Sequence, residues 1–434
     1  MIPNRYIPNF PLPDGIDSAD QYLRMLAMRG MKHRYPNVGK SEIRERIEYE
    51  LCVIAKKSCA DYFLIIWDAL QHARQKGILI GTGRGSSAGS IVNYCLGITQ
   101  VDPLKFGLLF ERFLTPNGCP YIDIDGEERL RDEMLCYLPK RYGKRHVAII
   151  ENDLYGIIIS SIDIARYFNT TTYTNGEGVE MPMVQAKISD VEDAGFLIFN
   201  IHSLDSLTVI LYALKNIKAQ CNLDLDLSQI PLNDTDTLQL YCKGETASTF
   251  LFSSEGMCNI LRKVTSITFF DLVALYCLYR PVPLDWIPKF IARKNSEKPI
   301  IYPIAEMESI LSETYGITVY QEQIIQAFQT LADFSPNDSN KLRKAFGKRK
   351  TVDIVRFKEP FMKTAIAKGY NYDVISRLWQ SWETMGCYLF MKSHAVCYTL
   401  IAYRTAYLKA HFPKEYMAAY EQSKLSNRQR HNTL

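Results

Sequence analysis

Asp123 and Asp125 stand one isoleucine apart in "CPYIDIDGEERLRDEM", residues 119–134. On a strand, side chains two positions apart share a face, so both carboxylates point together while Ile122 and Ile124 turn the other way into a core. Two carboxylates this close repel each other unless something positive lies between them. A divalent cation meets that need, and Mg²⁺ takes one or two protein carboxylates together with substrate phosphate oxygens. The competing reading is a solvated strand edge.

A second group of residues bears on that choice. In "GTGRGSSAGS" (81–90), Gly81, Gly83, Gly85 and Gly89 let the backbone approach a ligand, and Ser86, Ser87 and Ser90 offer hydroxyls. A helix beginning here would turn free N–H groups and its positive dipole end towards an anion. A P-loop is excluded, because the Lys-Ser/Thr ending is absent. A dinucleotide site could use Gly83-x-Gly85-x-x-Ala88, but the nearest acid, Asp102, precedes Pro103 in a loop rather than ending a strand. A triphosphate cradle of the nucleotidyltransferase kind uses both the loop and the acid pair. Further on, "NKLRKAFGKRK" carries Lys341, Arg343, Lys344, Lys348, Arg349 and Lys350 with no acid among them, a pattern suited to phosphates. "MKSHAVCYTLIAYRTAYLKAHFP" places Lys392, Ser393 and His394 ahead of Tyr398, Tyr403 and Tyr407, which suit a core and base stacking equally.

The elements around these residues read as a mixed α/β first half and a helical second half. Ile43, Ile47, Leu51 and Ile54 have helical spacing behind Ser41 as N-cap, and a second helix over "DYFLIIWDALQHARQK" ends at Gly77. "ILI" (78–80) predicts a short strand, "AGSIVNYCL" a helix, and "VAII", "LYGIIIS" and "GFLIFN" further strands. From Asp205 the pattern is helical, broken at "PLNDTDT" and "FSPNDSN". The 434 residues predict two or three domains, and a net charge of +4 permits but does not demand a nucleic-acid partner. Eleven cysteines are scattered singly, with neither a C-x-x-C pair nor zinc spacing, which predicts reduced thiols. The N-terminus has no apolar signal core, and "FFDLVALYCLYRPVPL" is too short to span a bilayer, so the expectation is a cytoplasmic protein with no membrane role.

Taken in order, "GTGRGSSAGSIVNYCLGITQVDPLKFGLLFERFL", "IDID", "ALYCLYRPVPL", "ETYGITVYQEQ", "KLRKAFGK" and "KSHAVCYTLIAYRTAYLKAHFP" resemble the bacterial DNA polymerase III α-subunit family, from about Pro8 to the early 420s. The resemblance implies a polymerase β-like nucleotidyltransferase palm, a mixed sheet with helices, followed by mostly helical fingers. Residues 1–204 would be palm: a helical lead-in over 1–77, the loop and D-x-D core over 78–150, and later strands over 151–204. Residues 205–424 would be fingers and 425–434 a polar tail. The implied chemistry is attack of a primer 3′-hydroxyl on a nucleotide α-phosphate, assisted by two Mg²⁺ ions. Asp123 and Asp125 would be catalytic metal ligands. Gly85, Ser86 and Ser87 would lie in the triphosphate cradle, and Arg343, Lys344, Lys348, Lys392 and His394 would serve the incoming nucleotide. The implied partners are primer–template DNA, deoxynucleotides and other replication proteins.

Departures from the family pattern fall on chemical positions. The third catalytic carboxylate is replaced by Asn200 in "FLIFNIHSLDSL", and Asp205 would face the other way if that strand continued. Tyr121 stands where an acid is usual and Gly126 where an aromatic is. Leu251 and Ser253 replace a Gln and a Glu, Val282 a turn glycine, and Met391 an Asn. After "HVAII" the thumb segment is missing near residue 151, and no clamp-binding module is recognisable. Two expectations follow: a weak polymerase, or a catalytically impaired relative that binds DNA or nucleotide. A dinucleotide-dependent oxidoreductase rests on the glycine spacing alone.

Overall fold

The computed structural model describes residues 6–36, 39–114 and 120–431; the last three residues of the expected polar tail lie outside that set. The chain forms two compact units, residues 1–224 with 418–434, and residues 225–417.

In the first unit, three helices, α1 (Ala19–Arg34), α2 (Lys40–Lys56) and α3 (Ala60–Gln75), precede the loop. Ser41 is not the cap of α2, as expected, but lies inside it, donating to Glu45 Oε1 at 2.9 Å; Gly39 holds the cap position. Gly77 ends α3 with φ +68°, a conformation glycine adopts without a Cβ penalty. The expected strand at 78–80 is reduced to one antiparallel bridge, Ile80 to Gly126. Past the loop come α4 (Ile91–Cys95) and α5 (Leu130–Tyr142).

Six strands make one mixed sheet: β1 (Asp123–Gly126), β2 (Val147–Ile150), β3 (Asp153–Ile159), β4 (Thr170–Thr174), β5 (Glu180–Val184) and β6 (Leu197–Ser203), in the order β1-β6-β3-β2-β5-β4. Strand β4 has no counterpart in the sequence reading: "TTTYT" is polar, and it pairs along the sheet's edge with β5. Alternation sorts the two faces. Ile124, Ile157, Phe199 and Ile201 join the core with Ile47 and Phe63 of the helices, whereas Ile150, Ile158 and Ile198 join Val191 and Phe196 in a smaller cluster. Burying each such side chain contributes about 1.5–3 kcal/mol. Strand β6 stops at Ser203, and Asp205 opens α6 (Asp205–Cys221), so Asp205 is on no strand face.

The second unit is helical. Its helices include α7 (Phe269–Leu278), α8 (Gln321–Ala332), α9 (Pro336–Gly347), α10 (Thr351–Ala367), α11 (Tyr372–Met385) and α12 (Lys392–His411). Phe328, Phe346, Phe361, Trp379 and Trp382 form an aromatic core among α8–α11. "FSPNDSN", read as a break, is the start of α9: Ser335 caps Asp338 N and Pro336 takes the first helical position. The tyrosines of α12 belong to packing rather than stacking. Tyr403 is fully buried and donates to the Pro231 carbonyl at 3.0 Å. The residues assigned to the polar tail continue a helix, Pro413–His431. The ten described cysteines are free thiols. Among the described residues no helix is long and apolar enough to cross a membrane.

Candidate active site

Strand β6 lies between β1 and β3, and its parallel register sets Asp123 beside Asn200 and Asp125 beside His202. Because Ile124 and Ile201 face the core, all four polar residues share the opposite face. Asp123 is partly open to solvent, while the Asp125 side chain is fully buried. The Gly/Ser loop is stitched to this strand: Gly81 N donates to the Asp125 carbonyl at 2.7 Å and Glu127 N to the Leu79 carbonyl at 3.0 Å. Gln100 holds the same stretch, its side chain donating to the carbonyls of Ile80 and Gly81 at 3.1 and 3.2 Å.

Beyond that anchor the loop turns over the acids. Gly85 adopts φ +64°, and a Cβ there would lie 3.9 Å from Asp123 Oδ2. The acid pair and the loop therefore form one site. Residues 85–89 make a single 3₁₀ turn in which Ser86 is half-buried and Ser87 is buried, its hydroxyl donating to the Arg84 carbonyl at 2.7 Å. The expected helix N-terminus is a different matter. Helix α4 starts only at Ile91, and its N-terminus already holds an anion belonging to the protein. Buried Glu50 accepts from Ser90 Oγ at 2.7 Å, Ile91 N at 3.1 Å and Val92 N at 3.2 Å, and pairs with Arg46 at 2.8 Å. Burial pushes the Glu50 carboxyl above its usual range, against Arg46 and these donors.

Each acid of the pair has its own neighbours. Arg84 Nη1 lies 3.1 Å from Asp125 Oδ1. Asn200 Nδ2 donates to Asp123 Oδ1 at 3.0 Å and to the Tyr121 hydroxyl, and His202 Nε2 approaches Asp123 Oδ1 to 3.9 Å. Burial, with Asp123 nearby, pushes the Tyr121 phenol up to about 12. Asn200 Oδ1 is buried without a partner.

The donor chemistry decides how a divalent ion suits this site. Two carboxylates on one face fit one Mg²⁺ completed by phosphate oxygens. A second ion would need a carboxylate where Asn200 presents an N–H. Among the described residues no group of three or more His, Cys, Asp or Glu side chains forms a metal site.

In the second unit the basic and KSH residues separate. Arg343 is buried, donating to Asn340 Oδ1 at 2.7 Å and Gln321 Oε1 at 3.3 Å. Gln321 is in turn bonded to the carbonyls of Leu389 and Phe390, and His394 packs on Phe390 with ring centres 5.6 Å apart. Arg343 and His394 thus belong to one neighbourhood, which Arg280 joins by covering the Phe390 ring at 4.6 Å. Lys344 and Lys348 are exposed on another face of α9. Lys392 points into the unit: Nζ meets Glu313 Oε2 at 2.6 Å, and its backbone N donates to Glu322 Oε2 at 2.9 Å.

Sequence reasoning missed several of these residues, though most had left a trace. Arg84 is the one charge in the glycine loop, and His202 sits two residues after Asn200, hence on its face. Glu50 interrupts an apolar helical stripe three residues after Ile47. Gln100 had no distinguishing mark.

Comparison with known proteins bears on the whole arrangement. Residues 21–153 match the family model described as bacterial DNA polymerase III alpha NTPase domain, and residues 206–369 match bacterial DNA polymerase III alpha subunit finger domain. Proteins named DNA polymerase III subunit alpha are similar: 34% identical in Halalkalibacterium halodurans over 95% of this chain, 34% in Bacillus subtilis over 97%, and 33% in Borreliella burgdorferi over 98%. The chain spans 44% of the length of each. The matched regions run over 490, 497 and 501 positions, more than the 434 residues here, so the relatives carry additional residues inside the match.

Proposed function

Because the chain belongs to the bacterial DNA polymerase III alpha family, we propose that its D-x-D site binds a deoxynucleoside triphosphate beside primer–template DNA and is impaired in joining the two. The observation that carries this is the Asn200 amide donating to Asp123 at 3.0 Å, in the strand position directly beside it. An amide that donates there takes up an acceptor site of Asp123 and cannot itself accept the proton of an attacking hydroxyl. We assign palm and fingers to residues 1–204 and 205–424.

Asp123 and Asp125 would hold one Mg²⁺, which supplies charge neutralisation of the phosphates when bound. Gly85 lets the backbone come close to those phosphates, and Ser86 offers a half-buried hydroxyl beside it. Arg84, at 3.1 Å from Asp125, can pair with that buried acid and exchange it for a phosphate oxygen. Of the fingers residues, Arg343 and His394 are the pair assigned to the nucleotide. Loss of the thumb is supported by the tight connection between Ile150 and Asp153, in chains whose relatives carry extra residues within the match. Without a thumb, duplex retention would fall to other surfaces or to replication partners.

A second reading, a weak but active polymerase, is favoured by one observation: Gly85 is seated against Asp123. Primer extension in Mg²⁺ and in Mn²⁺ separates the two, comparing the native chain with Asn200→Asp and Asp123→Ala. The impaired reading expects no extension by the native chain and gain by Asn200→Asp. Robust native extension that Asp123→Ala abolishes would overturn it.

A further inference from the structure

Lys341 and Lys344 lie three apart on α9, and Lys348, its C-cap, follows four residues on, so the three fall on one side of the helix. With Lys350 and with Arg356 of α10 they line an open cup of about 560 Å³ in the second unit. Two acids, Asp338 and Asp353, face these five bases. The Asp338 carboxyl is held below its usual range, chiefly by its hydrogen bonds to Lys341 at 3.0 Å and to Ser335, with the charges of Lys341 and Arg356 adding to them. The floor is aromatic. Phe334 and Phe357 are half-buried, with ring centres 5.9 Å apart, and Pro360 lies beside them. Arg343, assigned above to the nucleotide, leaves α9 on another side and is absent from this lining.

We propose that this cup is a docking site for single-stranded nucleic acid, with phosphates on the lysines and Arg356 and bases against Phe334 and Phe357. The combination of a cationic wall and aromatic rings is what a single strand needs, because base stacking on aromatic side chains is sequence-tolerant. A duplex keeps its base faces stacked inside and would meet only the rim. The three lysines of α9 span about 10 Å at the helical rise, enough to follow successive phosphates of a strand. This rests on the reading of the chain as a nucleic-acid-binding polymerase relative, but it involves a different unit from the acid pair.

The test is fluorescence anisotropy of a labelled oligo-dT with the full chain, comparing native protein with Lys341→Glu/Arg356→Glu and with Asp123→Ala. Both substituted side chains of the first variant are exposed, and its thermal melt should match the native one. It should bind the oligomer at least about tenfold more weakly, with the salt slope reduced by about 1.4 for two lost phosphate contacts. Asp123→Ala should bind the strand normally while losing dTTP, so failure of the acid-site reading would appear in dTTP binding alone. Photocrosslinking of a halogenated oligomer should map to residues 334–360 in the native chain. Unchanged oligomer affinity in the double variant, or crosslinks elsewhere, would overturn the proposal. So would dTTP displacing the strand from the native chain, since the cup would then be a free-nucleotide pocket.

Discussion

Replacing Asn200 by aspartate changes one atom's charge at the point where the two strands of the site meet. Asn200 Nδ2 now donates to Asp123 Oδ1 at 3.0 Å, and a hydrogen bond to a charged acceptor contributes about 1.5–3 kcal/mol. The variant loses that bond and sets a second carboxylate against the first. Two unit charges about 4 Å apart repel by about 4 kcal/mol at an effective dielectric of about 20. His202, at 3.9 Å from Asp123, and the Tyr121 hydroxyl, which can turn to donate to the new carboxylate, offset part of this. A net cost of about 3–5 kcal/mol without divalent ions is expected at neutral pH. The deficit should shrink in acid, where a proton on one carboxyl removes the repulsion. Mg²⁺ should recover part of the loss, about 2.7 kcal/mol at a hundred times its dissociation constant. Urea melts of both proteins in chelator and in Mg²⁺ measure all of this. Equal stability in chelator, or an equal Mg²⁺ response from both proteins, would refute the charge reasoning.

Four other substitutions test parts of the same picture. At Gly89 an added Cβ would lie 2.6 Å from the Leu109 carbonyl oxygen, whereas at Gly85 it meets nothing closer than 3.9 Å and only the positive φ is unfavourable. Gly89→Ala should therefore cost about 2–4 kcal/mol in melting experiments and Gly85→Ala about 1 kcal/mol. Val282 holds φ +74° and ψ −62°, a strained backbone conformation for a β-branched residue, and is exposed. Val282→Gly should raise stability by about 1 kcal/mol, read as a higher denaturation midpoint at unchanged slope. Lys392→Met should destabilise the second unit by about 1–3 kcal/mol, because it removes a buried ammonium from Glu313, which stays partly open to solvent. A nucleotide-binding loss without that destabilisation would instead assign Lys392 to the ligand.

The acid face was legible because period-two alternation fixes it locally: Ile122 and Ile124 had to point one way and Asp123 and Asp125 the other. Asn200 could be placed beside Asp123 only through the resemblance, since parallel register between β1 and β6, more than seventy residues apart, leaves no local trace. The helix expected at "AGSIVNYCL" failed at its start for a physical reason. Gly85 needs a positive φ to turn over Asp123, and Ser90 is extended, so one 3₁₀ turn intervenes before the helix can begin. The basic run was visible as composition, but its division was not. Helical rotation sends Arg343 inward to Asn340 and Gln321 while Lys344, the next residue, stays exposed. Residue type cannot tell those two apart; the position of the aromatic core beside α9 does.

The closed N-terminus of α4 has an electrostatic logic. A helix N-terminus and a buried carboxylate satisfy each other when no ligand is needed between them. Glu50 does this at α4, with Arg46 completing the pair, so the strongest backbone anion site near the loop is closed by the fold itself. What remains for a phosphate is the turn from Gly83 to Ser87 and the Arg84 guanidinium, and Arg84 is already on Asp125. Any incoming triphosphate must then compete with Asp125 for Arg84, and a divalent ion must compete with Arg84 for Asp125. Both competitions would be relieved if ion and phosphate bound together, Asp125 then being free to hold the ion and Arg84 the phosphate. Neither half alone has that compensation, so nucleotide binding at this site should be strongly dependent on divalent cation, whether or not transfer follows.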